Sequence, residues 1–291
     1  MPKKPRPAVV GPCYFCGEQK PLTREHVFPD WLRRVLPRLT GTSWQILTSR
    51  REVSSQPLNE SKRKDNGYNI GSTQLKVVCV DCNGGWMSRL QEAAIPLLTP
   101  LINGEIHHIP VEHQVTIAQW VIMTVSMQQL TNPEPKSHII TSRERNNLRL
   151  ARLGEAPMNH QGWTIGLAHF MGTTPEFIAA RQQAFGYADE SPRAQTSVIR
   201  LGDLCVMTWS SAYEDVAINR PAVEEHGVRI VWPDQVPLPW PPKVKVGNVA
   251  VDRLLDLLRV RFNDEELARQ TGLLPDPKAP DMLWTPHPRS A

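Results

Sequence analysis

The chain has 291 residues, enough for one large domain or two ordinary ones, and its 40% hydrophobic and 21% charged composition is that of a folded chain. No apolar run reaches the roughly 20 residues of a bilayer-spanning helix, and the basic start MPKKPRPAVV has no apolar signal-peptide core; no membrane partner and a reducing, cytoplasmic location are expected. The net charge of +4 is uneven, with 15 Lys/Arg against 8 Asp/Glu in residues 1–104 and 18 against 21 in residues 105–291, so the N-terminal third suits a polyanion such as nucleic acid or else a solvated surface.

In chain order, residues 1–12 read as a disordered basic tail. CYFC at 13–16 is a C-x-x-C turn that runs into an extended segment ending at Glu25-His26. Pro29 and Asp30 then open a short helix, DWLRRVLPRL, stopped near Pro37. SWQILTSRREVSS (43–55) predicts a pair of strands with a turn near Arg50-Arg51, and the polar stretch 57–71, which holds Lys62, Arg63 and Lys64, predicts a mobile loop. QLKVVC (74–79) is a strand leading into the second C-x-x-C, CVDC at 79–82. From Asn83, a natural N-cap, a helix runs through GWMSRLQEAAIPLLTPLI with Trp86, Leu90, Ala93 and Ala94 on one face and a kink or end at Pro96.

Past residue 110 the character changes. VTIAQWVIMTVSMQQL lies in a buried helix over about 112–130. TSRERNNLRLARLG predicts a second helix, with Thr141 and Glu144 at capping-box spacing and Gly154 as its stop. Strands are expected at 163–170, 196–202, 203–209 and 227–232, with a hairpin turn at Gly202-Asp203. A Pro-rich linker at 233–243 and a last helix, NVAVDRLLDLLRVRF, precede a Pro-rich tail. His107, His108 and His113 form no recognisable ligand set.

Five cysteines are present, and four of them, Cys13, Cys16, Cys79 and Cys82, form two C-x-x-C pairs separated by 62 residues. In a reducing compartment duplicated C-x-x-C turns favour one tetrahedral Zn²⁺ site over disulfides, and the long gap must hold folded structure. Cys205, within LGDLCVMTW, reads as a buried strand cysteine.

CYFC at 13–16, LTREHVFPDWL at 22–32 and QLKVVCVDCNGGWM at 74–87 together resemble the HNH, or ββα-metal, endonucleases, in the branch stabilised by a four-cysteine zinc site. The resemblance covers about the first 100 residues. It implies a ββα-metal domain over 13–105 with an insertion at 33–72; residues 110–291, read from their own helix and strand patterns, form a larger α+β domain of unknown type, so the chain is expected to be α+β. The resemblance implies a metal-dependent endonuclease acting on phosphodiester bonds of DNA, or of RNA. His26 takes the place of the general base. Glu25 and Asn83 would hold a catalytic Mg²⁺ or Mn²⁺, Gln74 stands where an Asn often braces the loop that holds the base, and the four cysteines match the structural Zn²⁺ ligands. Arg24, Lys76 and Arg89 are candidate phosphate contacts. The chemistry is coherent: a neutral His takes a proton from water near pH 7, and a divalent cation held by oxygens relieves phosphate charge.

The chain departs from the family pattern at three places: Glu for Asp at 25, Gln for Asn at 74, and Met87 where some members carry a further ligand. Trp86 and Met87 read as core under the zinc site. Two other functions are weighed against the nuclease. One is a non-catalytic, zinc-organised module that binds nucleic acid or protein; the other is a nuclease gated by a ligand or partner through residues 110–291.

Overall fold

The computed structural model describes residues 9–36, 42–50, 60–61, 73–131, 138–159, 162–172, 178–186, 193–212, 217–218, 220–233, 236–247 and 284–285. The expected last helix, the segment 62–72 and the first eight residues of the expected basic tail lie outside them. Helices and sheets both occur, in an α+β arrangement.

The N-terminal part is a small antiparallel sheet, β1 (Val10–Pro12), β2 (Gln19–His26) and, further along the chain, β5 (Gln74–Cys79), in the order β1-β2-β5. Residues 10–12 were expected in the tail. They are instead a strand, because their backbone pairs with Gln19–Pro21 and the Val9 carbonyl accepts the Leu22 N–H at 2.8 Å. After β2 comes α1 (Leu32–Val35), which ends as its C-cap Leu36 turns extended ahead of Pro37, as a residue before proline prefers.

Two elements of the stretch 33–72 leave this small sheet. β3 (Thr42–Arg50) is one continuous strand with β4 (Glu60–Ser61) as an antiparallel partner; the expected turn past Arg50 and second strand by residue 55 lie outside the described residues. β3 also runs parallel to a strand from far down the chain, introduced below as β8.

Past β5 the chain enters a π-turn over Cys82–Met87, where Gly85 is non-helical (φ −97, ψ −111), and continues as α2 (Ser88–Ile102). Asn83 lies inside the π-turn and its side chain caps nothing; the amide is drawn sideways to β2. Pro96 and Pro100 both sit within α2 without ending it. A mid-helix proline costs about 3 kcal/mol, but Leu90, Ala94, Leu98, Leu101 and Ile102 form a buried stripe whose packing holds the helix together. Ala93, expected on that stripe, is exposed, since it falls about a quarter-turn off the line joining Leu90 and Ala94.

β6 (His107–Ile109) follows, then α3 (Val111–Gln129), as expected for 112–130. Ile117 through Gln129 are buried without a break, so α3 packs on all sides. Its polar groups bond inward, with the Thr124 hydroxyl donating to the Trp120 carbonyl at 2.9 Å and the Ser126 hydroxyl to that of Ile122 at 2.7 Å. α4 (Ser142–Leu153) has the expected capping box, Glu144 N–H to Thr141 Oγ1 at 3.2 Å and Thr141 N–H to the Glu144 carboxylate at 2.7 Å, and ends on Gly154 in the left-handed region (φ +74).

The large sheet contains β7 (Trp163–His169), β8 (Ile178–Gly186), β9 (Ala194–Leu201), β10 (Leu204–Ser211) and, after β11 (Ala217–Ile218) and α5 (Arg220–Glu225), β12 (Arg229–Trp232). Its order is β12-β7-β10-β9-β8-β3-β4, so it draws on sequence from both sides of the expected boundary at 105–110. β9 and β10 form the expected hairpin, with Gly202 at φ +58. The stretch 233–243 is not a free linker: β13 (Leu238–Trp240) pairs with β6, and Gln114 Nε2 ties that corner by donating to the Ile109 carbonyl at 3.1 Å and to the Val236 carbonyl. A short β14 (Trp284–Thr285) pairs with β11. No helix among the described residues is long and apolar enough to cross a membrane.

Candidate functional site

The two C-x-x-C turns meet. Cys13 sits at the start of a tight turn closed by Gly17 N–H to the Cys13 carbonyl (2.8 Å) and Cys13 N–H to the Glu18 carbonyl (2.9 Å), and Gly17 takes the left-handed φ of +76 that the turn requires. Cys79 ends β5 and Cys82 opens the π-turn. Lys20 bridges the two turns through Glu18 at 2.7 Å and Asp81 at 2.8 Å. The four sulfur atoms lie within 4.8 Å of one another, and those of Cys16 and Cys79 are 3.9 Å apart. That is nearly double a disulfide bond, and it matches the edge of roughly 3.8 Å that a tetrahedron with ~2.3 Å Zn–S bonds would have.

The electrostatics of this cluster also fit a cation. Cys13 is lowered to about 4, first by its hydrogen bond with Cys82 and then, against burial, by backbone N–H groups of Cys16, Cys79 and Phe15. Cys82 is pushed up by that same bond and by burial. Four clustered thiols, three of them buried, therefore cannot all ionise side by side unless a divalent cation offsets them. Among the described residues this is the group of His, Cys, Asp or Glu side chains able to hold a metal ion such as zinc. Cys205 stands apart on β10, fully buried, with its thiol pushed up to about 12 by burial.

Beside the cluster, β2 and β5 carry the other expected site residues. Their pairing runs Leu22↔Cys79, Thr23↔Val78, then Arg24↔Lys76, Glu25↔Leu75 and His26↔Gln74, so Val77 is bulged out. Residues of alternating parity leave opposite faces of a strand. On one face, Thr23 and Glu25 meet Asn83: its Nδ2 donates to Thr23 Oγ1 at 2.9 Å and to the Arg24 carbonyl at 3.3 Å, and its side chain also hydrogen-bonds the Glu25 carboxylate. On the other face, the His26 ring meets Gln74, Nε2 to Nε2 at 2.8 Å. Gln74 thus touches the imidazole itself.

Burial pushes Glu25 up to about 7, against the hydrogen bonds from Asn83 and the His26 N–H that favour its charged form. Burial also lowers His26 below the usual histidine range, helped by Arg33 and opposed by Asp30. The imidazole is therefore neutral at pH 7. Asn83 uses its nitrogen for these bonds, which leaves the carboxamide oxygen as the atom available to a cation.

Trp86 and Met87 are buried beneath the cluster, as expected for core, with Phe15 edge-on to Trp86 at 5.1 Å. Arg24 and Lys76 are exposed on the His26 face, whereas Arg89 lies within electrostatic reach of Arg152 near the end of α4. Sequence reading missed three positioning residues. Thr23 was signalled by its parity with Glu25. Tyr14, whose hydroxyl donates to the Ser126 carbonyl at 3.0 Å, and Gln91 carried no local signal. Compared with known proteins, the chain matches no family model and has no significant match among curated proteins or solved structures.

Proposed function

We propose that the chain is a metal-dependent endonuclease of the HNH type, hydrolysing phosphodiester bonds of nucleic acid, with DNA as the first substrate to test. The observation that carries this reading is the pairing of two unlike groups at the end of β2: a neutral imidazole held by Gln74 and a carboxylate held against Asn83, both beside the four-cysteine cluster. In this reading Cys13, Cys16, Cys79 and Cys82 hold a structural Zn²⁺.

Glu25 and the Asn83 oxygen would hold Mg²⁺ or Mn²⁺, which supplies charge relief on the phosphate and on the leaving oxygen. His26 accepts the proton of the attacking water. A half-turn of the Gln74 carboxamide exchanges its oxygen and nitrogen in place. With the oxygen facing Nε2, that nitrogen keeps its proton and Nδ1 is the basic atom. β2 ends at His26, and convergence of Glu25 and His26 on one phosphate depends on that ending, since neighbours within a strand point to opposite faces.

A second reading, a zinc-organised binding module without catalysis, is favoured by one observation. Met87, at the position of a further family ligand, is buried core, so only Glu25 and Asn83 remain to hold the cation. Plasmid DNA incubated with the purified chain and Mg²⁺ or Mn²⁺, beside His26→Ala with its zinc content verified, separates the two. The endonuclease requires cleavage by the wild-type chain and a loss of at least roughly 100-fold in the variant. Absence of cleavage with intact nucleic-acid binding would leave the module.

A further inference from the structure

Arg24 and Lys76 are directly opposed across β2 and β5, both exposed, and no ion pair joins either to a carboxylate among the described residues. Like charges placed directly opposite each other destabilise a strand pair. The bulge at Val77 creates this juxtaposition: in an unbroken register Arg24 would face Val77, and His26 would face Leu75. The same bulge that brings Gln74 to His26 therefore brings Lys76 to Arg24. The bulge is anchored, since the Val77 carbonyl accepts the backbone N–H of Tyr14 at 2.8 Å.

The two cations share a face with His26 and Gln74, two residues back along each strand, or about 6.7 Å. That is the scale on which successive phosphates follow one another along a nucleic-acid strand. We propose that Arg24 and Lys76 together seat one backbone phosphate of the bound strand, adjacent to the phosphate presented to His26, and that Arg89 takes no part in this seat. Arginine offers a planar fork to two phosphate oxygens and lysine a point charge, so one anion satisfies both groups and removes their mutual repulsion. The contact is to backbone and reads no base, which predicts affinity without sequence preference. Binding at this seat stands without catalysis; its adjacency to the attacked phosphate rests on the endonuclease reading.

The test is binding of a short fluorescein-labelled DNA duplex to the full chain across a salt series, without divalent cation, followed by anisotropy. Arg24→Gln and Lys76→Gln should each reduce the slope of log affinity against log salt by about one, and together by about two, while Lys76→Arg retains the slope. Zinc content and thermal melting of each variant establish that the fold is intact; zinc content should not move, and melting should hold or rise slightly as the like-charge repulsion is relieved. Arg89→Gln should leave the slope unchanged. A double variant with the wild-type slope, or a wild-type chain that does not bind the duplex, overturns the proposal. Cleavage is scored separately. Binding that depends on Arg24 and Lys76 without cleavage keeps the seat and sinks the endonuclease; cleavage undiminished in the double variant does the reverse.

Discussion

The backbone N–H of Tyr14 donates to the carbonyl of Val77 at 2.8 Å, and Val77 is the residue bulged out of the pairing between β2 and β5. Tyr14 lies between the first two cysteines, so the C-x-x-C turn holds the register of the strands that carry His26 and Gln74. It is fixed from behind as well: the Arg145 guanidinium lies 3.9 Å over the Tyr14 ring and its Nε donates to the Tyr14 carbonyl at 2.8 Å. The four-cysteine cluster is thus linked to the candidate site through backbone geometry.

Loss of the metal should therefore remove more than the metal. Cys16→Ser, at the least buried of the four ligands, is expected to lose stoichiometric zinc and to destabilise the chain by several kcal/mol, on the order expected for removing a structural metal. Zinc content by mass spectrometry and a urea melt check it. A zinc-free chain with the wild-type melt would contradict the four-cysteine site.

Gln74→Leu should lower cleavage about 10–100-fold, the scale seen when a partner that orients a catalytic group is removed. Because Gln74 is exposed, zinc content and melting should not move. Gln74→Glu puts an oxygen against His26 Nε2 and should recover part of the rate, with its pH profile shifted upward because the added carboxylate favours the protonated imidazole. A Leu variant as active as the wild type would show that the contact does not orient the base.

Gln91 Oε1 accepts from two indoles, Trp31 Nε1 at 3.0 Å and Trp120 Nε1 at 2.8 Å, and so ties the segment after His26 to α3. Gln91→Leu keeps the volume but strips both buried donors of their acceptor. At about 1–3 kcal/mol for each orphaned group, a loss of roughly 2–6 kcal/mol is expected from urea denaturation. Gln91→Glu retains the acceptor and should fall well short of that loss.

Where the sequence was legible, the signal was local. The duplicated cysteine spacing, the Thr141–Glu144 capping box and the Gly202 hairpin each depend on a few adjacent residues, and the cluster and both elements are present. What was hidden depended on partners distant in the chain. β8, IAARQQAFG, mixes small and polar residues without clean alternation, and its place comes from pairing with β9 and β3. The Val77 bulge has no glycine or proline to announce it, yet it sets which side chains face His26 and Arg24. Pro96 gave a true local preference that the packing of α2 on α3 outweighs.

His169 provides the pH test. It ends β7 almost wholly buried, with Nε2 3.7 Å from Asp203, Lys245 nearby and the Trp240 ring 6.0 Å away. Burial, with Lys245, holds its pKa below the ordinary 6.5, and Asp203 opposes the shift without cancelling it. The unfolded chain therefore binds this proton more readily than the folded one. The contribution to stability is complete above about pH 6.5 and is lost as the pH falls through the lower folded value. His26 adds to the same acid limb, whereas Glu25, raised to about 7 from 4.5, contributes stability below about pH 4.5 that is lost as the pH rises through 7. Urea melts of the wild-type chain and His169→Phe from neutral to mildly acid pH isolate the His169 share. The difference in stability between the two should stay constant above pH 6.5 and shift in favour of the variant below it. A difference that does not change with pH would mean that His169 is as easily protonated in the fold as in the unfolded chain.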